Sequence, residues 1–172
     1  AGYEMPVQYE GVLKEHVTVR EKVGLFDITH MGEIFVTGPA ARAWINGLIT
    51  NSLKTAEPGK IFYTAMCRED GGVLDDMLIY RLADERWLVV CNAANHAKIA
   101  AWLEQRRPAD GVALDDRSDA VALIAVQGPD SRELVGRLAA LSHLRDDIAA
   151  LDFYTAFTCD GPAGEWIVSR TG

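Results

Sequence analysis

Apolar residues recur along the chain with two periodicities, and the shorter of the two predicts strands. Alternating or short continuous apolar runs are typical of strands. These runs occupy residues 32–37, 61–67, 73–82, 86–91, 121–126, 153–160 and 165–170. The tripeptide Asp70-Gly71-Gly72 lies between the second and third runs and supplies residues that accept positive φ, so it predicts a tight hairpin.

Helical spacing of apolar residues appears between these strands. Residues 10–23 have this spacing, and Gly24 is predicted to cap the helix at its C-terminal end. A second amphipathic segment follows residue 91, and Pro108 is predicted to end it. Its apolar face comprises Ile99, Trp102 and Leu103. The polar residues 114–119 are predicted to connect this region to the strand at 121–126.

Two strand-to-helix junctions have nearly the same sequence. Residues 35–42 and residues 125–132 both run from a strand through Gly-Pro to an arginine at the same offset. In both junctions, proline falls where a helix is predicted to begin. The helix after the first junction is predicted to reach Ile49. The helix after the second junction is predicted to be followed by one more helix. Two interpretations stay open, a common junction or an internal duplication. In either case, short strands, tight hairpins and flanking helices predict an α+β fold with antiparallel sheets.

The composition restricts the classes of function. Among 172 residues, 17 are basic and 25 acidic, and the net charge of −8 disfavours nucleic acid or an anionic membrane as the main partner. No apolar run approaches the roughly 18 to 20 residues of a membrane span, and the first residues lack a signal-peptide pattern. The widely spaced Cys67, Cys91 and Cys159 have no metal-binding spacing and fit a reducing compartment. We therefore expect a soluble intracellular protein without a metal site.

Two adjacent aspartates interrupt the predicted strand at residues 73–82. Alternation places Asp76 on a face with Leu78, and Asp75 on the opposite face with Arg81. Aspartate is depleted from strands, and an ionised carboxylate is costly to bury without partners. At least one of them is therefore expected to be hydrogen-bonded, paired (Asp75 with Arg81 or another cation) or directed at a ligand. The competing interpretation is that both stay near the hairpin turn and bind free backbone N–H groups.

Other polar residues carry weaker signals. His30 follows an apolar run, where a lone histidine is more often structural than chemical. Asn92 follows a predicted strand and precedes a helix, which is typical of an N-cap. Tyr63 could stack on a flat ring, although a tyrosine in a strand usually packs in the core. The sequence shows no Ser-His-Asp or Cys-His set and no glycine-rich phosphate loop.

A series of motifs resembles the glycine cleavage system T-protein family, the aminomethyltransferases. They include His30-Met31-Gly32-Glu33 and Gly71-Gly72-Val73-Leu74-Asp75-Asp76. In family order, the matching segments are residues 2–9, 24–33, 63–66, 71–76, 90–93, 126–129 and 169–172. The resemblance implies a folate-binding fold in which one lobe is inserted into another. Residues 1–49 and 118–172 would form the first lobe, and residues 50–117 the inserted lobe.

The same resemblance assigns roles to individual residues. The second aspartate of the pair matches the family's functional carboxylate, which selects Asp76 as the catalytic residue. The positions that match folate contacts in the family are Met31, Tyr63, Leu78, Val90 and Asn92. For Asn92 this role competes with the N-cap interpretation.

The activity implied by the resemblance is aminomethyl transfer in glycine catabolism. The donor is the lipoyl arm of the H-protein, the co-substrate is tetrahydrofolate, and the products are 5,10-methylenetetrahydrofolate, ammonia and a dihydrolipoyl arm. The alternatives are a folate-dependent demethylase relative and a non-catalytic tetrahydrofolate-binding protein. The chain ends inside a longer family motif, so we expect an N-terminal fragment. The expected location is the cytoplasm, or the mitochondrial matrix in a eukaryote.

Overall fold

A computed structural model of the protein describes residues 3–172, and Ala1 and Gly2, at the start of the predicted first lobe, lie outside the described residues. The α-helices in this range are α1 (Val12–Glu21), α2 (Ala41–Asn46), α3 (His96–Arg106), α4 (Ser131–Gly136) and α5 (Arg145–Ala150). The strands are β1 (Gly24–Asp27), β2 (Gly32–Thr37), β3 (Ile61–Cys67), β4 (Val73–Ala83), β5 (Arg86–Cys91), β6 (Ala113–Asp116), β7 (Ile124–Gln127), β8 (Thr155–Gly161) and β9 (Gly164–Arg170).

A five-stranded sheet with the order β3-β4-β5-β2-β6 lies at the centre of the molecule. Two further sheets are the pairs β1–β7 and β8–β9, and every pairing is antiparallel. The predicted α+β fold with antiparallel sheets and flanking helices is therefore confirmed. The strand β2 from residues 1–49 shares this sheet with four strands from residues 50–117, and the predicted three-part division stays a prediction.

The two faces of the central sheet pack against different elements. One face packs against α2 and α3. The buried cluster between them includes Ile34, Val36, Met77 and Ile79 of the sheet and Ile99 and Leu103 of α3. The other face packs partly against the β8–β9 hairpin, and its cluster includes Phe35, Tyr80, Leu88, Val90 and Ala156. Because β5 is covered on both faces, its sequence is a continuous apolar run rather than an alternating one.

The hairpin between β3 and β4 has the predicted turn. Gly71 has φ of 85°, and the Asp70 carboxylate accepts a hydrogen bond from the Gly72 N–H at 2.9 Å. One extra residue, Leu74, lies in β4 opposite the step from Met66 to Cys67. This β-bulge turns Leu74 into the cluster beneath α2 and α3, which is the opposite face from the one that simple alternation predicts.

Several predicted boundaries are wrong, including that of the strand predicted at 121–126, which begins only at Ile124. Gly24 does not cap α1 but begins β1, because it pairs with Gln127 of β7. The polar residues 114–119 are not only a connection, since β6 occupies their first part and pairs with β2 at the edge of the central sheet. The helix α2 ends before Ile49, which instead forms an isolated bridge to Met66.

The two Gly-Pro junctions have the same local geometry. Gly38 has φ of 116° and Gly128 has φ of 124°, and a six-residue helix begins three positions after each. A Cβ atom on Gly38 would lie 2.4 Å from the Gly111 carbonyl oxygen, and one on Gly128 would lie 2.4 Å from that of Lys22. Both positions therefore require glycine. Common ancestry of the two junctions stays a prediction.

Candidate functional site

Three of the predicted folate contacts form a row across the central sheet. Tyr63 lies opposite Leu78 in the β3–β4 pair, and Leu78 lies opposite Val90 in the β4–β5 pair. Opposite residues of antiparallel strands project from the same face of a sheet. Asp76 is two positions from Leu78 in β4, so its side chain projects from this face as well. The strands thus bring four of the predicted site residues together.

Asn92 and Met31 lie next to this row. Asn92 follows β5 at the N-cap position of the 3-10 turn Ala93–Asn95, as predicted, but its side chain makes no capping hydrogen bond and is directed at Asp76 instead. Met31 immediately precedes β2 and packs against the same apolar cluster as Leu78. His30, by contrast, contacts the Tyr3 ring, with the ring centroids 6.0 Å apart.

Two donors hold the Asp76 carboxylate. Tyr63 Oη donates to Asp76 Oδ2 at 2.5 Å, and Asn92 Nδ2 donates to Asp76 Oδ1 at 3.1 Å. Each carboxylate oxygen has two lone-pair sites, so each keeps one for a ligand. The hydrogen bond to Asp76 and the charge of Asp76 raise the pKa of Tyr63 above its ordinary value. Tyr63 is therefore a phenol, and a donor, at neutral pH.

The two aspartates differ in exposure. Asp76 is exposed although its neighbours in the row are apolar, whereas Asp75 is 4% exposed. Asp75 accepts hydrogen bonds from the Asn92 N–H at 2.9 Å, from Asn92 Nδ2 at 2.9 Å and from Asn95 Nδ2 at 2.5 Å. The suggested pairing with Arg81 is wrong, because that guanidinium binds a backbone carbonyl and a different aspartate. Asp75 does bind a backbone N–H, but one at the end of β5 rather than in the hairpin turn.

Glu33 extends the row and was not predicted as a site residue. It lies opposite Val90 in the β2–β5 pair and is 1% exposed. Within residues 3–172, neither of its carboxylate oxygens has a hydrogen-bond partner. Burial, reinforced by the charge of Asp116, raises the pKa of Glu33 to about 7. The available signal was a charged residue inside the apolar run 32–37.

The candidate site is open to solvent at the end of the row where Tyr63 and Asp76 lie, and Tyr63 is 56% exposed there. Towards the middle of the sheet the row is covered, since Leu78 is half-buried and Val90 is buried. Two depressions, of about 430 and 460 Å³, lie elsewhere, one beside Trp102 and Arg106 and the other beside Phe157.

In the described part of the chain, no group of three or more His, Cys, Asp or Glu residues is arranged to hold a metal ion. No helix in that part is long and apolar enough to cross a membrane.

Comparison with known sequences identifies the family. Residues 1–172 match the family described as GCVT N-terminal domain. An aminomethyltransferase of Chloroherpeton thalassium is 44% identical over 173 residues, covering 100% of this chain and 46% of the relative. An aminomethyltransferase of Streptomyces coelicolor is 41% identical over 172 residues, covering 100% of this chain and 45% of the relative. The chain thus spans less than half the length of these curated relatives.

Solved structures show the same fold. The glycine cleavage system aminomethyltransferase T from Bartonella henselae superposes with a TM-score of 0.81 and 31% identity, covering 99% of this chain and 45% of that one. The heterotetrameric sarcosine oxidase from Corynebacterium sp. U-96, in complex with pyrrole 2-carboxylate, has a TM-score of 0.63 and 13% identity, covering 90% and 75%. At that identity the second likeness is one of fold alone. The chain belongs to the GCVT family of glycine cleavage system aminomethyltransferases, and it corresponds to their N-terminal domain.

Proposed function

We propose that the face around Asp76 binds tetrahydrofolate and takes part in aminomethyl transfer from the lipoyl arm of the glycine cleavage H-protein. The products would be 5,10-methylenetetrahydrofolate, ammonia and the dihydrolipoyl arm. The observation that carries this proposal is that Asp76 and the matching folate-contact positions come together beside one face of the central sheet. Membership of the aminomethyltransferase family supports the class of reaction.

The chemistry of the face suits a flat heterocycle with polar edges. Leu78 is half-buried and offers an apolar edge for a ring, and Val90, its opposite neighbour about 5 Å away at Cβ, is 5% exposed and packs behind it. Tyr63 stands at the exposed rim, where an aromatic side chain can contact the ring. The free lone pairs of Asp76 accept hydrogen bonds from ring or amine N–H groups. The residues that are present therefore fit tetrahydrofolate.

Asp76 is proposed to act by charge and by position. Bound tetrahydrofolate supplies the nucleophilic nitrogen, so the chain needs no activated side-chain nucleophile. Positive charge develops at the departing amine, and a nearby carboxylate stabilises it. Tyr63 and Asn92 already fix the carboxylate, so little reorientation is needed when that charge develops. Since water screens an exposed charge, the effect of Asp76 increases as bound molecules exclude water.

Calorimetric titration of the protein with tetrahydrofolate tests this proposal. Asp76→Asn keeps the size of the side chain but removes its charge, and a charged hydrogen bond is worth about 1.5 to 3 kcal/mol, so binding should weaken at least tenfold. Asp115→Asn is the matched control, because Asp115 is an exposed aspartate in β6 of the same sheet. It should bind as the unsubstituted protein does. Equal affinities for the unsubstituted protein and Asp76→Asn would contradict the role of Asp76.

The alternatives share this face and differ in what happens there. A folate-dependent demethylase would take its one-carbon group from a methylated amine, and a non-catalytic protein would bind tetrahydrofolate without turnover. Supplying tetrahydrofolate with either lipoylated H-protein carrying the aminomethyl group or a methylated amine distinguishes them.

The free thiols of Cys67, Cys91 and Cys159 fit a reducing compartment, and we propose the cytoplasm, or the mitochondrial matrix in a eukaryote.

A further inference from the structure

We propose that Asp75 is a positioning residue of this site, which holds the Asn92 side chain so that Asn92 in turn holds Asp76. This inference rests on the proposed function, since the orientation of Asp76 matters to a reaction only if the face binds the co-substrate. Asp75 does not reach the face itself, because it is buried on the other side of β4. Its effect must therefore pass through its contacts.

Three N–H groups converge on the buried Asp75 carboxylate. Two come from Asn92, through its backbone N–H and its Nδ2, and the third comes from Asn95 Nδ2. An ionised carboxylate only accepts hydrogen bonds, and each N–H donated to it forms a charge-assisted bond. Asp75 thus binds Asn92 at both its backbone and its side chain. This double contact fixes the direction in which the Asn92 amide points.

The start of α3 is tied to β4 at the same place. Asn92, Asn95 and Lys98 are spaced three residues apart, which puts them on one side of the 3-10 turn and the first turn of α3. Lys98 Nζ donates to the Leu74 carbonyl oxygen at 2.6 Å, next to Asp75 in the chain. The helix start and the beginning of β4 are therefore held together by side chains that the sequence spaces regularly.

The Asn92 amide connects the two aspartates. Its Nδ2 lies 2.9 Å from Asp75 Oδ1, 3.1 Å from Asp76 Oδ1 and 3.0 Å from the Asp76 carbonyl oxygen. Only the NH2 end of an amide can face two carboxylates, because the carbonyl end offers no donor. If Asp75 stops holding this amide, its orientation is no longer fixed. Asp76 then loses a donor whose position the buried carboxylate sets.

Tyr63 reports the orientation of Asp76 when no ligand is present. The pKa of Tyr63 is raised first by its hydrogen bond to Asp76 and by the charge of Asp76, then by burial and by Tyr154, with the charge of Asp75 contributing least. The Asp75 charge therefore acts on Tyr63 directly only to a small extent. Any larger effect of Asp75 on this phenol must pass through Asp76.

Titration of Tyr63 by NMR, with tyrosines labelled at the Cζ carbon, measures this effect. The protein has five tyrosines, and Tyr63→Phe assigns the signal. We expect Asp75→Asn to lower the pKa of Tyr63 towards its ordinary value of about 10. In the Asp76→Asn background, Asp75→Asn should change that pKa much less. Equal decreases in both backgrounds would show that Asp75 acts only through its charge, and would overturn the proposal.

Further variants keep the test decisive. Asp115→Asn removes an exposed aspartate from the same sheet and should leave the pKa of Tyr63 unchanged. If Asp75→Asn does not fold, Asn92→Ala breaks the same connection without altering a buried charge. It should also lower the pKa of Tyr63, and an unchanged value would overturn the proposal.

Binding of the co-substrate separates this inference from the proposed function. In calorimetric titrations, Asp75→Asn is expected to bind tetrahydrofolate about tenfold more weakly than the unsubstituted protein, which is about 1.4 kcal/mol. Unchanged affinity would overturn the positioning role. Absence of binding by the unsubstituted protein would instead contradict the proposed function, while the Tyr63 titration would still decide whether Asp75 positions Asp76.

Discussion

Replacing Glu33 by glutamine is expected to stabilise the protein at pH 8 and to change its stability little near pH 4.5. Glu33 is 1% exposed and, among the described residues, its carboxylate has no hydrogen-bond partner. Burial and the nearby Asp116 raise its pKa from 4.5 to about 7. Between these values the folded state binds more protons than the unfolded state, so the free energy of unfolding decreases as the pH rises. Above about pH 7, the full cost of burying the ionised Glu33 carboxylate lowers the free energy of unfolding.

The size of the effect follows from the two pKa values. The interval from 4.5 to about 7 corresponds to roughly 3 kcal/mol, at about 1.36 kcal/mol for each pH unit. Glutamine has nearly the same shape as glutamate and also leaves buried polar atoms unpaired, so the substitution removes only the penalty of ionisation. For a chain of this length, a gain of that size at pH 8 raises the Tm by roughly 6 to 12 °C.

Urea unfolding followed by tryptophan fluorescence, repeated between about pH 4.5 and pH 8, measures this effect. The gain in unfolding free energy from Glu33→Gln should grow with pH and level off above pH 7. Glu85→Gln is the matched control, since Glu85 is exposed in the turn between β4 and β5, and it should not produce the gain expected at pH 8. A gain from Glu33→Gln that is independent of pH, or a loss of stability at pH 8, would refute the reasoning.

The same urea assay tests two further substitutions. Gly38→Ala combines φ of 116° with a backbone oxygen 2.4 Å from the new Cβ and should cost about 2 to 3 kcal/mol. Gly71→Ala, with φ of 85° and no atom within 4 Å, should cost about 1 kcal/mol, and equal costs would contradict the contact argument. Burial alone would raise the pKa of Asp116, but hydrogen bonds from Ser118 and His96 lower it. Asp116→Asn should therefore destabilise the protein at pH 7, by an amount that disappears as the pH falls through the lowered pKa; a constant difference would contradict this assignment.

Local sequence patterns were sufficient for three strands of the central sheet. The observed bounds of β2, β3 and β5 are those predicted from residues 32–37, 61–67 and 86–91. Alternation and continuous apolar runs are short-range signals, and these strands have them. By contrast, the sequence patterns do not predict β1, and they predict a connection where β6 forms. Each has only four residues and depends on pairing with a distant strand, which no local pattern reports.

The site required more than periodicity. The residues alone did not choose between Asp75 and Asp76, and the family resemblance selected Asp76. Their different surroundings depend on the bulge at Leu74 and on Asn92 and Asn95, which follow 17 and 20 positions after Asp75. Such contacts arise only when β4, β5 and the start of α3 are brought together. They could not be predicted from the segment that contains the aspartates.

The central claim is that tetrahydrofolate binds the face around Asp76, and an NMR titration of the isotopically labelled protein tests it most directly. Tetrahydrofolate is expected to shift the signals of Tyr63, Leu78, Val90 and Asn92, and Asp76→Asn is expected to need at least tenfold more ligand for the same shifts. Binding at this face would be contradicted if no signals moved, or if the shifts were centred on the depression beside Trp102.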